Sequence, residues 1–169
     1  ALAVFSFFLL LAAAVLAIPY FHLDNDHARL TSLEQRLGAL RTAADLYYHQ
    51  HGHRYPGEYW LDGKTRLARG RETEAARAFV AQLTGYTNAA GKVAPHKSAE
   101  FRYGPYLDSL PPNPLMKGDA ARAIDMDFTM SDPNAAYPAD GRSGWRYYLN
   151  TGRLVANDSA VLADGTETA

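Results

Sequence analysis

The chain opens on an unbroken run of hydrophobic positions. From Ala1 to Phe21 it reads ALAVFSFFLLLAAAVLAIPYF, without a charge and with Ser6 as the only clearly polar side chain. At about 1.5 Å of rise per residue, some 20 helical residues cover roughly the 30 Å hydrocarbon core of a bilayer while satisfying their own backbone hydrogen bonds. The run predicts a membrane-spanning helix. It has neither the basic n-region nor the small-residue cleavage site of a secretory signal peptide, and it continues straight into a polar helix. A core helix apolar on every side for this length is unusual in so small a chain. Pro19 removes one backbone donor, so a kink is expected around residues 15 to 22.

After Asp24-Asn25-Asp26 the pattern acquires a helical period. Leu30, Leu33, Leu37, Leu40, Ala44 and Tyr47 recur at spacings of three and four, while Arg29, Glu34, Gln35, Arg36 and Arg41 lie off that stripe. One helix thus has two environments along its length, apolar all round at first and amphipathic later. Gly52, with Tyr55-Pro56-Gly57 beyond it, predicts its end near residues 49 to 52. A second, shorter helix is expected over Glu72–Leu83, with Ala76, Phe79, Val80 and Leu83 on one face and Glu72 and Glu74 in the favourable first turn. Glycines and prolines are too frequent between residues 84 and 122 for long regular elements.

Strand patterns follow. Ile124, Met126, Phe128 and Met130 alternate with Asp125, Asp127 and Thr129, the period of a sheet with one dry and one wet face. Trp145, Tyr147 and Leu149 alternate with Arg146 and Tyr148, and Asn150-Thr151-Gly152 supplies turn chemistry before Arg153 to Asn157, which predicts a β-hairpin. The expected fold class is α+β: a long N-terminal helix, membrane-spanning and then amphipathic, with a small antiparallel β-sheet head laid on the Leu30 to Tyr47 stripe. Residues 1–23 form the transmembrane or filament-core segment. Residues 24–169 form the head, which includes the amphipathic half of the helix (24–52), the loops and the C-terminal hairpin. The last dozen residues are expected to be a loose tail.

Charge and composition narrow the function classes. Seventeen basic against 18 acidic residues give a net charge of −1, no field that would gather nucleic acid or anionic lipid. The absence of cysteine removes disulfides, thiolate metal sites and Cys nucleophiles. No nucleophile with its base and no phosphate-binding glycine loop is recognisable, since Gly141-Arg142-Ser143-Gly144 lacks the Lys-Ser/Thr of a P-loop, so no catalytic residue is assigned and the chain is expected not to be an enzyme. His49, His51 and His53 could bind a transition metal only on an extended chain. Helical ligands two apart point about 200° from each other, so a solvated helix end is expected there. Asp125, Asp127, Asp132 and Asp140 gather oxygen ligands near the sheet, although an exposed strand face accounts for the first two without metal. The 11 tyrosines are expected to pack the head or line subunit contacts.

These pieces together resemble a mature type IV pilin or a G-type pseudopilin of type II secretion. The resemblance is carried by the apolar run ending in LAIPYF, by ALRTAADLYYHQHGHRYP at the helix end, by GPYLDSLPPNP, and by the hairpin GWRYYLNTGRLVAND. It implies a structural subunit that polymerises into a type IV pilus-like extracellular filament, or alternatively into a periplasmic pseudopilus; a single-span membrane-anchored binding protein is the third reading. Ala1, Leu2, Phe5, Phe8, Leu10, Ala14, Leu16 and Pro19 would pack the filament core, and Leu30, Leu33, Leu37, Leu40, Ala44 and Tyr47 would hold the head to the helix. The implied partners are identical subunits, a prepilin peptidase, and an inner-membrane assembly platform with its ATPase, with no nucleic acid. The subunit would wait in the inner membrane before reaching the cell surface. No organic cofactor is implied, but the calcium site of G-type pseudopilins makes Asp125, Asp127, Asp132 and Asp140 candidate calcium ligands.

The chain departs from the family at one place. The family carries a glutamate close to its mature N-terminus, where this chain has Phe5, or Leu2 if aligned on Pro19. Residues missing before Ala1, a tip-type minor subunit, or a filament registered by packing alone would each account for the missing acid.

Overall fold

The computed structural model describes residues 2–132 and 138–159, with side chains from Asp26 onward. A single helix, α1 (Leu2–Gln50), runs into a head built on its C-terminal half. Its end is a glycine-capped turn. Gly52 takes φ +66° and the amide of His53 donates to the carbonyl of Tyr48 at 3.0 Å, closing the last turn. α2 (Glu72–Thr84) follows, one residue longer than the apolar pattern predicts.

Residues 85 to 123 are mostly irregular, as the glycine and proline density predicts, apart from three short elements. β1 (Tyr86–Thr87) pairs with β2 (Val93–Ala94), and a 3-10 turn spans Asp119–Arg122. The main sheet has three strands, β3 (Ile124–Asp127), β4 (Trp145–Tyr148) and β5 (Arg153–Ala156), in that spatial order. β3 stops three residues short of the alternation's end. The Asp127 carboxylate accepts from the Thr129 and Met130 amides at 2.6 and 3.1 Å, which folds the chain into a turn and takes it out of the ladder.

The expected fold is corrected in two respects. First, the sheet is mixed. β4 and β5 form the predicted antiparallel hairpin, but β3 runs parallel to β4, with Ile124 opposite Trp145 and Met126 opposite Tyr147. The alternating pattern of β3 is the same for either direction, whereas direction is set by the connection over residues 128–144, long enough for a parallel crossover. Second, among the described residues no helix is long and apolar enough to cross a membrane. The side chains of the apolar run lie outside the described residues, and a pilin-like fold is not supported.

The core forms between two helices and one sheet face. Ile124, Met126, Trp145, Tyr147, Leu154 and Ala156 alternate onto the dry face and are all buried. α2 covers β3 with Phe79 and Leu83, and α1 covers β5 with Leu33, Leu40, Ala43, Ala44 and Tyr47. Burying apolar surface at about 25 cal/mol per Å² is what holds these layers together.

Candidate functional site

The helix-to-head junction is built by the predicted stripe and by side chains the stripe excludes. Leu33, Leu40, Ala44 and Tyr47 are buried and Leu30 and Leu37 pack half-buried against the same core. Arg29, Arg36 and Arg41 do not simply face water. Arg29 donates to the Pro114 carbonyl at 3.3 and 3.4 Å, Arg36 to that of Pro112 at 2.7 Å, and Arg41 to that of Leu154 at 3.0 Å. The Pro111 carbonyl accepts from Trp145 Nε1 at 2.8 Å. Three long cations on one helix thus grip loop and strand carbonyls that have no ladder partner, and each charge-assisted bond is stronger than a neutral one. Of the expected filament-core residues, Ala1 lies outside the described residues, as do the side chains of Leu2, Phe5, Phe8, Leu10, Ala14, Leu16 and Pro19.

The histidines at the helix end divide. His49 and His53 are exposed, but His51 is 1% exposed, so the expectation of a solvated trio is corrected for that residue. Its ring stacks on Tyr47 with centroids 3.8 Å apart. Nδ1 lies 2.8 Å from the Tyr47 carbonyl and Nε2 lies 2.9 Å from Thr87 Oγ1. Since a carbonyl only accepts, Nδ1 carries the proton, and in the neutral ring Nε2 accepts from the Thr87 hydroxyl. Burial pushes the His51 pKa down, against the opposing pull of the Tyr47 carbonyl.

That shift has a consequence for stability. The unfolded chain protonates His51 near the ordinary value of about 6.5, whereas the folded head keeps it neutral to lower pH. The unfolded state therefore binds more protons in this window. Stability is full above the ordinary pKa and falls as pH drops below it toward the lowered one. The melting temperature is expected to fall between about pH 7 and pH 5, and His51→Gln should flatten that slope. A slope equal in the variant would show that another group is responsible.

The four carboxylates proposed for calcium do not converge on a cation cavity. Asp125 and Asp140 do meet, but on the guanidinium of Arg146, which lies 2.9 Å from Asp125 Oδ2 and bonds Asp140 Oδ2 directly. Burial raises the Asp140 pKa, yet hydrogen bonds from the Arg142 amide and Asn157 together with the Arg146 charge outweigh it and hold the carboxyl low. Asp127 is turned back into its own loop and Asp132 is exposed beside the segment 133–137, which lies outside the described residues. No group of three or more His, Cys, Asp or Glu among the described residues is placed to hold a metal. An arginine stands where the cation was expected.

Sequence reasoning missed the clefts. One of about 370 Å³ lies between α1 and the β4–β5 turn, lined by Arg41, Thr42, Asp45, Tyr48, Tyr55 and Tyr147. A second, of about 630 Å³, shares Tyr48 and Tyr55 with the first and includes His53, Glu58, Arg66, Phe128 and Asn150. Tyr48 and Tyr55 are half-buried and stack with centroids 4.5 Å apart, forming a ridge common to both. Gly152 closes the hairpin at φ +69°, and a Cβ there would strike the Tyr55 ring, so glycine is required both for the turn and for the ridge.

Comparison of the chain with protein-family models, with curated proteins and with solved structures gave no match.

Proposed function

We propose that the chain is a structural subunit that self-associates through the N-terminal part of its long helix into a pilus-like filament, displaying the head on the outside. One observation carries the reading: α1 is continuous from Leu2 to Gln50, and among the described residues its contacts with the head run from Arg29 to Gln50. The remaining part of the helix contains the charge-free stretch to Phe21, which needs an apolar partner to stay out of water. Identical helices packed side by side supply one. The bonds of three arginines to head carbonyls fit this role, because a subunit built into a fibre transmits force from helix to head. The reading asks nothing of the sheet topology and extends to identical subunits as partners and the cell surface as location.

The test is a charge placed in the apolar stretch. Leu10→Asp would bury an unpaired carboxylate at every subunit contact, at a cost of several kcal/mol each, and is expected to abolish fibres. Electron microscopy of material sheared from cells producing the wild-type and variant chains reads the result. The head's melting temperature should not change, since Leu10 is far along the helix from it. Fibres of normal length from Leu10→Asp, or no fibres from the wild type, would defeat the proposal.

A further inference from the structure

The hydroxyl of Tyr147 is the one buried side-chain polar atom among the described residues without a hydrogen-bond partner. Its ring is fully buried, packed on Phe79 at a centroid distance of 4.9 Å and edge-on to Tyr55 at 6.2 Å. Burial, with Tyr55 and Glu58 beside it, keeps the phenol protonated, so it is a donor in search of an acceptor. A buried polar group without a partner carries its full desolvation penalty, and phenylalanine would fill the same space without it. The hydroxyl therefore calls for a partner, and Tyr147 lines the smaller cleft.

The other walls of that cleft define the partner's chemistry. Arg41 brings a donor-only cation, Asp45 an acceptor-only anion with its side chain 70% exposed at the rim, and Thr42 a hydroxyl that does both. The two charges offset each other, so neither a strong anion nor a strong cation is favoured. The Tyr48–Tyr55 ridge offers aromatic surface to an apolar C–H face and continues into the second cleft, where Glu58 and Arg66 again pair opposite charges at 3.1 Å. A ligand that alternates C–H faces with vicinal hydroxyls matches this lining throughout.

We infer that the groove along Tyr48 and Tyr55 binds a saccharide, with a sugar hydroxyl accepting from Tyr147 in the smaller cleft and the chain extending over the ridge into the larger one. Tyr55, half-buried and edge-on to Tyr147, is the ring that must turn aside to admit the hydroxyl. This site is a property of the head and does not rest on filament formation.

The experiment is saturation-transfer NMR on the whole chain with maltotriose, chitotriose, lactose and cellobiose at about 10 mM each, followed by titration of any that respond. At least one is expected to bind saturably. Tyr147→Phe should weaken it roughly tenfold, the loss of one well-placed hydrogen bond, while the melting temperature holds or rises because an unpartnered hydroxyl has gone. Asp45→Asn, at an exposed rim position that leaves folding intact, should also weaken binding. No response from any of the four, or equal affinity in both variants, would overturn the site. A lowered melting temperature in Tyr147→Phe without sugar binding would overturn it too, because the hydroxyl would then be satisfied inside the protein by water.

Discussion

Trp145→Ala is expected to remove about 3–5 kcal/mol from the stability of the head, the usual cost of emptying a fully buried tryptophan site. Trp145 is 0% exposed and sits on the central strand, opposite Ile124 of β3 on one side and Ala156 of β5 on the other. Its indole N–H is also the partner of the Pro111 carbonyl, and Arg36 and Arg29 hold the next carbonyls of the same loop. Emptying the site therefore breaks the dry face of the sheet and frees the loop that ties the sheet to α1. Against a total of about 5–15 kcal/mol for an ordinary domain, such a loss leaves a head partly unfolded near physiological temperature. Urea titration followed by circular dichroism measures it. A change below about 1 kcal/mol would mean that the loop and sheet do not share this core.

How much of this was legible in the sequence depends on the kind of signal. The stripe from Leu30 to Tyr47 announced a helix face, and Leu33, Leu40, Ala44 and Tyr47 are buried on it, because spacing on a helix maps directly onto direction in space. The hairpin was legible for a similar reason, since Asn150-Thr151-Gly152 favours a tight turn between two alternating segments. The direction of β3 was not. Alternation reports which face is dry and nothing about which way a strand runs, so the antiparallel sheet expected from the pattern proved mixed. Long-range polar partners were equally hidden. Arg36 reads as a solvated position on a helix until the fold brings Pro112, 76 residues away, beneath it. The aspartates failed as a calcium set for the same reason, as Arg146 lies between Asp125 and Asp140 only after β3 and β4 have paired. His51 carried one usable signal: it falls four residues after Tyr47, and so on the buried stripe rather than off it.

Gln82→Leu is the second large effect, and it arises from a polar residue that no apolar pattern can place. Gln82 is 0% exposed on α2, and every hydrogen-bonding capacity it uses reaches a different loop position. Its Oε1 accepts from the Gly57 amide at 2.8 Å, and its Nε2 donates to the carbonyls of Tyr59 at 3.0 Å and Gly91 at 3.3 Å. Leucine fills a similar volume and adds apolar contact, so the change in packing is small. What it leaves behind is one buried amide and two carbonyls facing a hydrocarbon, at about 1–3 kcal/mol for each group that finds no new partner. The loop at residues 57–59 would be released first, and with it Tyr55, which forms one side of the ridge over the clefts. Gly91 would loosen as well. At φ +81°, with the Tyr47 hydroxyl where a Cβ would lie, it is held closely against the end of α1. The expected result is a loss of at least about 3 kcal/mol, accompanied by faster amide hydrogen exchange at residues 57–59 and 91. Exchange at β4 should be affected only through the global loss of stability. If the variant keeps wild-type stability and wild-type exchange in both loops, the three bonds are replaceable by packing, and α2 holds the loops through Phe79 and Leu83 alone.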